Sequence, residues 1–195
     1  VHLLNEIDIP ILNYKKKKNS KFKIEISFNL NNNLLNVKDF LYTEGDNSIN
    51  INNLKLDRNG NLLSFKDIKI KTPKNNFLIL KNKKIIITGK KFDASGLSKL
   101  LNSNNSGDSM IKKLSAELKI SLDLVAIGLN NKIQNFNLIG EIKKGKPVKI
   151  SAKGEFEKGK YLDISLKKDK NSNKKYLEVY SDFPEPLLLF RNFRN

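Results

Sequence analysis

Cysteine and tryptophan are missing from this chain of 195 residues, and methionine and histidine occur once each. Without cysteine there is no disulfide and no thiolate metal site, although that leaves the compartment open. The single histidine is His2, so a histidine-based triad or zinc site has no material to be built from. Gly89 in ITGKK lacks the preceding glycine of a phosphate loop, and no GxGxxG occurs. Asp57-Arg58-Asn59-Gly60 starts like a calcium loop but lacks the later ligands. No spacing pairs two carboxylates for acid–base work. The sequence therefore points to a protein that is not an enzyme, with no catalytic, cofactor or metal residue to nominate.

Long apolar runs are also absent, and nothing approaches the ~20 residues of a membrane-spanning helix. The first residue is Val1, with no signal peptide behind it. The expectation is a fragment whose N-terminal start, and any anchor, lies upstream.

Arginine is scarce: only Arg58, Arg191 and Arg194 among 37 basic residues. The net charge of +17 invites a nucleic-acid reading, because lysine-rich surfaces attract phosphate. Direct readout of bases relies on the arginine fork, however, and these lysines are scattered along nearly every strand. Lys, Asn and Ile share AT-rich codons, so genome composition accounts for much of the charge. No nucleic-acid partner is expected, while weak attraction to anionic lipid headgroups fits the charge equally well.

What the sequence has in abundance is a period of two. Phe22, Ile24, Ile26 and Phe28 alternate with Lys21, Lys23, Glu25 and Ser27, as in a strand with one dry and one wet face. Residues 51–56, 63–71, 76–81 and 84–89 continue the pattern. Residues 116–124, 132–143, 146–156, 160–168 and 174–181 repeat it. Turn signals at Asn31–Asn33, Glu44–Asn47, Asp57–Gly60 and Thr72–Asn75 separate the strands, and Asn59-Gly60 suits a primed hairpin turn. The fold expected is mainly β, an antiparallel meander forming an elongated curled sheet or groove, with two short helices. One helix follows Asp93 and Ser95 and carries Leu97, Leu100 and Leu101. The other follows Asp182, with Pro184 in its first turn. The segment 102–109 reads as a flexible connection. It divides an N-terminal meander, residues 1–101, from a C-terminal one, residues 110–195.

The apolar stripes have two readings. A two-layer sandwich would bury them as core, and on physical grounds that reading leads. A single curled sheet would instead leave them as the floor of a groove.

LEVYSDFPEPLLLF, Leu177 to Phe190, resembles a recurring element of the AsmA-like envelope proteins, the family that includes the YhdP and TamB types. In that element a strand ends in Ser-Asp and runs into a helix with a Leu pair. Ser181, Asp182, Leu187 and Leu188 match it, while Phe183, Pro184 and Pro186 depart from its small residues. ITGKKFDASGLSKLL is similar to a second element of the family, with Gly89, Asp93, Leu97, Leu100 and Leu101 in register. The resemblance implies a periplasmic or cell-envelope location, an inner-membrane anchor outside this chain, and an apolar β-groove. It further implies a role in carrying phospholipid, or another acyl-chain lipid, between inner and outer membranes or in supporting outer-membrane assembly. The groove floor expected on this basis is Leu118, Ile120, Leu122, Leu124, Phe136, Leu138, Val148, Ile150, Leu162, Ile164, Leu166, Leu177 and Val179. The alternatives are a closed β-sandwich interaction module and a basic nucleic-acid-binding domain.

Overall fold

The computed structural model describes residues 6–16, 18–31, 34–97, 115–128, 131–168 and 174–182. Alternation of apolar and polar residues dictates nearly all of what they form. Fourteen strands follow in chain order: β1 (Ile7–Ile9), β2 (Tyr14–Lys16), β3 (Lys23–Asn31), β4 (Leu34–Glu44), β5 (Asn47–Leu56), β6 (Leu62–Ser64), β7 (Asp67–Lys71), β8 (Asn76–Lys81), β9 (Ile85–Asp93), β10 (Ala116–Ile127), β11 (Asn131–Lys143), β12 (Lys146–Glu157), β13 (Lys160–Lys168) and β14 (Lys175–Ser181). A 3-10 turn at Pro10–Leu12 separates β1 from β2, and residues 95–97 form a helical turn after β9.

Twelve of these strands form one open sheet, ordered β14-β13-β12-β11-β10-β9-β8-β7-β5-β4-β3, with β6 paired to β5. The two halves expected from the sequence share this sheet, so the stripes belong to one continuous layer and not to two stacked ones. Twisted sheets rarely exceed ~10 strands without curling. The expected antiparallel pattern holds at every junction except one: β9 and β10 run parallel, with Ile87 opposite Ile120. A parallel neighbour cannot be reached by a tight turn. The chain between β9 and β10 therefore makes a crossover, most of which, including 102–109, lies outside the described residues. So does the second expected helix, with Leu187 and Leu188.

Two local expectations change. Residues 63–71 are not one strand but β6 and β7, interrupted at Phe65 and Lys66, where the Lys66 amide bonds to the Asn52 carbonyl (3.0 Å). The Asp57–Gly60 turn is not a primed one, because only Gly60 has positive φ (77°). Its amide donates to the Asp57 carbonyl (2.9 Å), and the Asp57 carboxylate accepts from the amides of Asn59 (2.9 Å) and Asn61 (2.8 Å). That is a type I turn closed by a left-handed glycine.

The core lies on one face of the sheet, around Tyr42, Ile49, Ile70, Phe77, Leu122, Val125, Ile133, Phe156 and Leu162. Leu12 and Tyr14, from the segment carrying β1 and β2, complete it.

Candidate functional site

The register of the sheet assembles a single apolar row. Ile26, Phe40, Ile51, Ile68, Ile79, Ile87, Ile120, Leu138, Ala152, Ile164 and Val179 stand opposite one another, pair by pair, from β3 to β14. Every strand on the path contributes one residue, and none is polar. Only Ala152 is fully buried and Ile26 is exposed. The other nine are half-buried, with part of each side chain facing outward. The parallel row on the opposite face reads Glu25, Leu41, Asn50, Lys69, Leu78, Thr88, Ser121, Asn137, Lys153, Asp163 and Tyr180. Basic and acidic side chains are mixed there, as in the Lys153–Asp163 ion pair (3.4 Å).

Rows on either side of the central one differ in burial. Toward one end, Tyr42, Ile49, Ile70 and Phe77 face one another in register, Gly89 stands between Phe77 and Leu122, and all five large side chains are buried. Toward the other, Ile85, Leu118, Gly140, Ile150, Leu166 and Leu177 form a row that is open at its β14 edge, where Leu177 is exposed. Gly140 matters to that floor, since a side chain there would press on the Lys149 carbonyl at 2.9 Å.

Ten of the thirteen residues expected on the groove floor fall into three rows. Ile120, Leu138, Ile164 and Val179 lie on the central row. Leu118, Ile150, Leu166 and Leu177 lie on the open row, and Leu122 and Phe136 on the closed one. Leu162 is buried opposite Gly154, and Val148 sits at a register shift between β11 and β12. Leu124 leaves the floor. Both Leu122 and Val125 belong to the core, so the alternation changes phase between them.

The cause is a bulge shared by three neighbouring strands. Lys90 is an extra residue in β9 relative to β8, and one extra residue in β11 relative to β12 falls at Asn135–Phe136. Asp123, between them, lies at the same level of the ladder, and Asn135 takes the left-handed conformation (φ 52°). Bulges bend a strand and re-aim its side chains. Here Leu124 turns to line a cleft of about 350 Å³ with Lys91, Phe92 and Ala126. Val125 takes its place in the core.

The buried end is closed by a cap that sequence reasoning missed. The 3-10 turn at Pro10–Leu12 and β2 put Leu12, Tyr14 and Lys16 into the core end of the face. Asn75, fully buried, is the fastener. Its amide donates to the Leu12 carbonyl (2.6 Å), its carbonyl accepts from the Asp93 amide (2.9 Å), and its own backbone N–H donates to Thr72 Oγ1 (3.0 Å). Asn13 donates to Asp93 (2.8 Å) and to Ser95 (3.0 Å). Gly96 lets the helical turn touch the Pro10 carbonyl directly. Of the family-motif residues, Gly89 sits against Phe77, Asp93 is a cap ligand, and Leu97 is half-buried. Asp182 accepts from the Tyr161 amide (3.1 Å).

A second polar cluster holds β2. The hydroxyls of Tyr14 and Tyr42 lie 3.0 Å apart and both reach the Glu44 carboxylate, which also accepts from Ser20. Lys16 lies over the Phe22 ring at 5.1 Å from its centre. Burial works against ionisation of Glu44, but hydrogen bonds from Ser20, Tyr14 and Tyr42, with the charge of Lys16, outweigh it and lower its pKa. Asp93 behaves alike: burial is overcome by Ser95, Asn13 and Lys74. Tyr14 is driven well above the usual tyrosine range, first by burial and then by donation to Glu44. Among the described residues no cluster of His, Cys, Asp and Glu is arranged to hold a metal, and no helix is long and apolar enough to cross a membrane.

Compared with protein-family models, with curated proteins and with solved structures, the chain finds no match in any of the three.

Proposed function

We propose that this chain is a passive lipid-carrying module of the cell envelope, in which acyl chains lie along the central apolar row while headgroups stay in water. The observation that carries the reading is the row itself: an unbroken line of apolar side chains across all eleven strands of the path, nine of them half-buried, in an open sheet. A floor of this kind matches a ligand that is long, apolar and without polar groups along its length. Each buried CH₂ contributes about 0.8 kcal/mol, so a chain of ordinary acyl length binds without any directed polar contact. Nothing in such a mechanism requires bond chemistry. The open row ending at Leu177 would admit the chain, and the cap at Leu12 and Tyr14 would stop it. Phospholipid between inner and outer membranes is the substrate and route that the resemblance to AsmA-like proteins suggests. An envelope location and an anchor outside this chain go with it.

The test is extraction and mass spectrometry of lipid from the purified protein. Phospholipid in stoichiometric amount, lost on replacing Ile87 and Ile120 by Asp, supports the reading. Lipid-free protein that takes up none from phospholipid vesicles would contradict it.

A further inference from the structure

Among the described residues the β3 edge of the sheet has no partner strand, and apart from the Lys23–Glu25 ion pair it carries little of the protection that edges usually have. Its nine residues, Lys23–Asn31, are all exposed, with Ile24, Ile26, Phe28 and Leu30 at 45%, 51%, 60% and 69%. Natural edge strands are short, bulged, charged inward or interrupted by proline. This one is long and regular, because the bulge in its pairing with β4 falls on the β4 side, at Lys38. Its apolar side chains all lie on alternate positions, and Ile26 ends the central row.

We propose that β3 is a dimerisation edge, at which two copies of this chain pair antiparallel about a twofold axis at Ser27. The axis follows from the strand. Centring on Ser27 uses all nine residues, and the even spacing keeps the apolar faces of both sheets on one side. Ile26 then meets Phe28 of the second copy, and Ile24 meets Leu30. Lys23 and Glu25 each stand across from an asparagine, Asn31 and Asn29, so no like charges are opposed. The same contact is self-complementary, as a twofold interface must be. Joined in this way each central row, ending at Ile26, runs on into the row of Phe28 and Val37 in the second copy, and the apolar face continues across the junction. Dimerisation rests on the edge alone, whatever the apolar face holds. The net charge of +17 per chain opposes association at low salt, so the dimer strengthens as salt screens it.

The natural absence of cysteine gives a clean experiment. With Ser27→Cys, two thiols lie directly opposite each other across the axis, at a cross-strand distance a disulfide spans. Sedimentation of the unaltered chain at 0.15 M salt and above should show a monomer–dimer equilibrium. Ser27→Cys should oxidise to a covalent dimer far faster than Thr88→Cys, which lies exposed in the middle of the other face. Phe28→Lys should weaken the dimer by about tenfold or more while leaving the thermal midpoint unchanged at dilutions where the chain is monomeric, since Phe28 is exposed in the single chain. A monomer at all concentrations, or equal oxidation of the two cysteine variants, would overturn the proposal. In a mixture of Ser27→Cys and Tyr180→Cys, a disulfide heterodimer forming faster than the Ser27→Cys homodimer would also overturn it, in favour of head-to-tail growth from the β14 edge.

Discussion

Ile87 of β9 stands directly opposite Ile120 of β10 at the one parallel junction of the sheet. The strand order stays sequential there but β10 runs in the same direction as β9, and the apolar row passes through without a step. Two halves of the sequence that each read as a separate meander are thereby given a common floor. Ile120→Asp places a carboxylate in the middle of that floor, on a residue half-open to water. The expected result is a folded protein weakened by about 1–3 kcal/mol in urea, with bound lipid lost. Outright unfolding would signal a closed core.

Asn75 holds three elements at once, and its removal isolates the cap. Asn75→Ala strands the Leu12 carbonyl and the Asp93 amide without their partner. A buried group left unsatisfied costs about 1–3 kcal/mol, so the expected loss in chemical denaturation is at least that. Asn75→Asp should be no rescue, because a carboxylate cannot donate to the Leu12 carbonyl.

Gly89 opposes Phe77 in the buried row, and the sheet closes around it. A Cβ at this position would collide with the Asn76 carbonyl and lie 2.5 Å and 2.6 Å from Phe77 Cα and Cβ. Backbone cannot move aside as a side chain can. Gly89→Ala should cost about 1–3 kcal/mol and lower the thermal midpoint. Gly45→Ala, where nothing lies within 4 Å, separates the two effects, since its φ of 54° brings conformational strain alone.

Acid should release the cap before it unfolds the sheet. Glu44 and Asp93 both have folded-state pKa values below their ordinary carboxyl range. A depressed carboxyl contributes stability that is present above its unfolded value, near pH 4, and is lost as pH falls through the folded value. The loss therefore occupies the window below about pH 4. Tyr14 has the opposite sign: its raised value favours the protonated form, and that stability declines only above the ordinary tyrosine value near pH 10. Stability should be flat between these limits. Glu44→Gln should shrink the acid limb when denaturation midpoints are measured from pH 2 to 7.

Much of this architecture was legible because alternation is a local signal. Phe22 to Phe28 and Ala116 to Leu122 announce their wet and dry faces residue by residue, and their strands followed. β4 was harder, since Val37 and Phe40 break strict alternation at the Lys38 bulge. Leu124 was misplaced for the same reason: the shared bulge at Lys90, Asp123 and Asn135 is a property of three strands side by side, and no single strand displays it. The parallel pairing of β9 and β10 depends on a crossover that leaves no local trace. The cap was missed because its anchors, Asn75, Asn13 and Glu44, look like ordinary polar turn residues until the fold brings Leu12 and Tyr14 to them.

Whether the apolar row is an open path for acyl chains is decided by position-resolved photocrosslinking. A photoreactive side chain is placed in turn at Phe40, Ile87, Ile120 and Ile164 on the row, and at Thr88, Ser121 and Asp163 on the other face. Each protein is irradiated with phospholipid vesicles and weighed intact. Lipid adducts are expected at all four row positions and at none of the three outer ones. Adducts spread equally over both faces, or confined to the outer face, would contradict it.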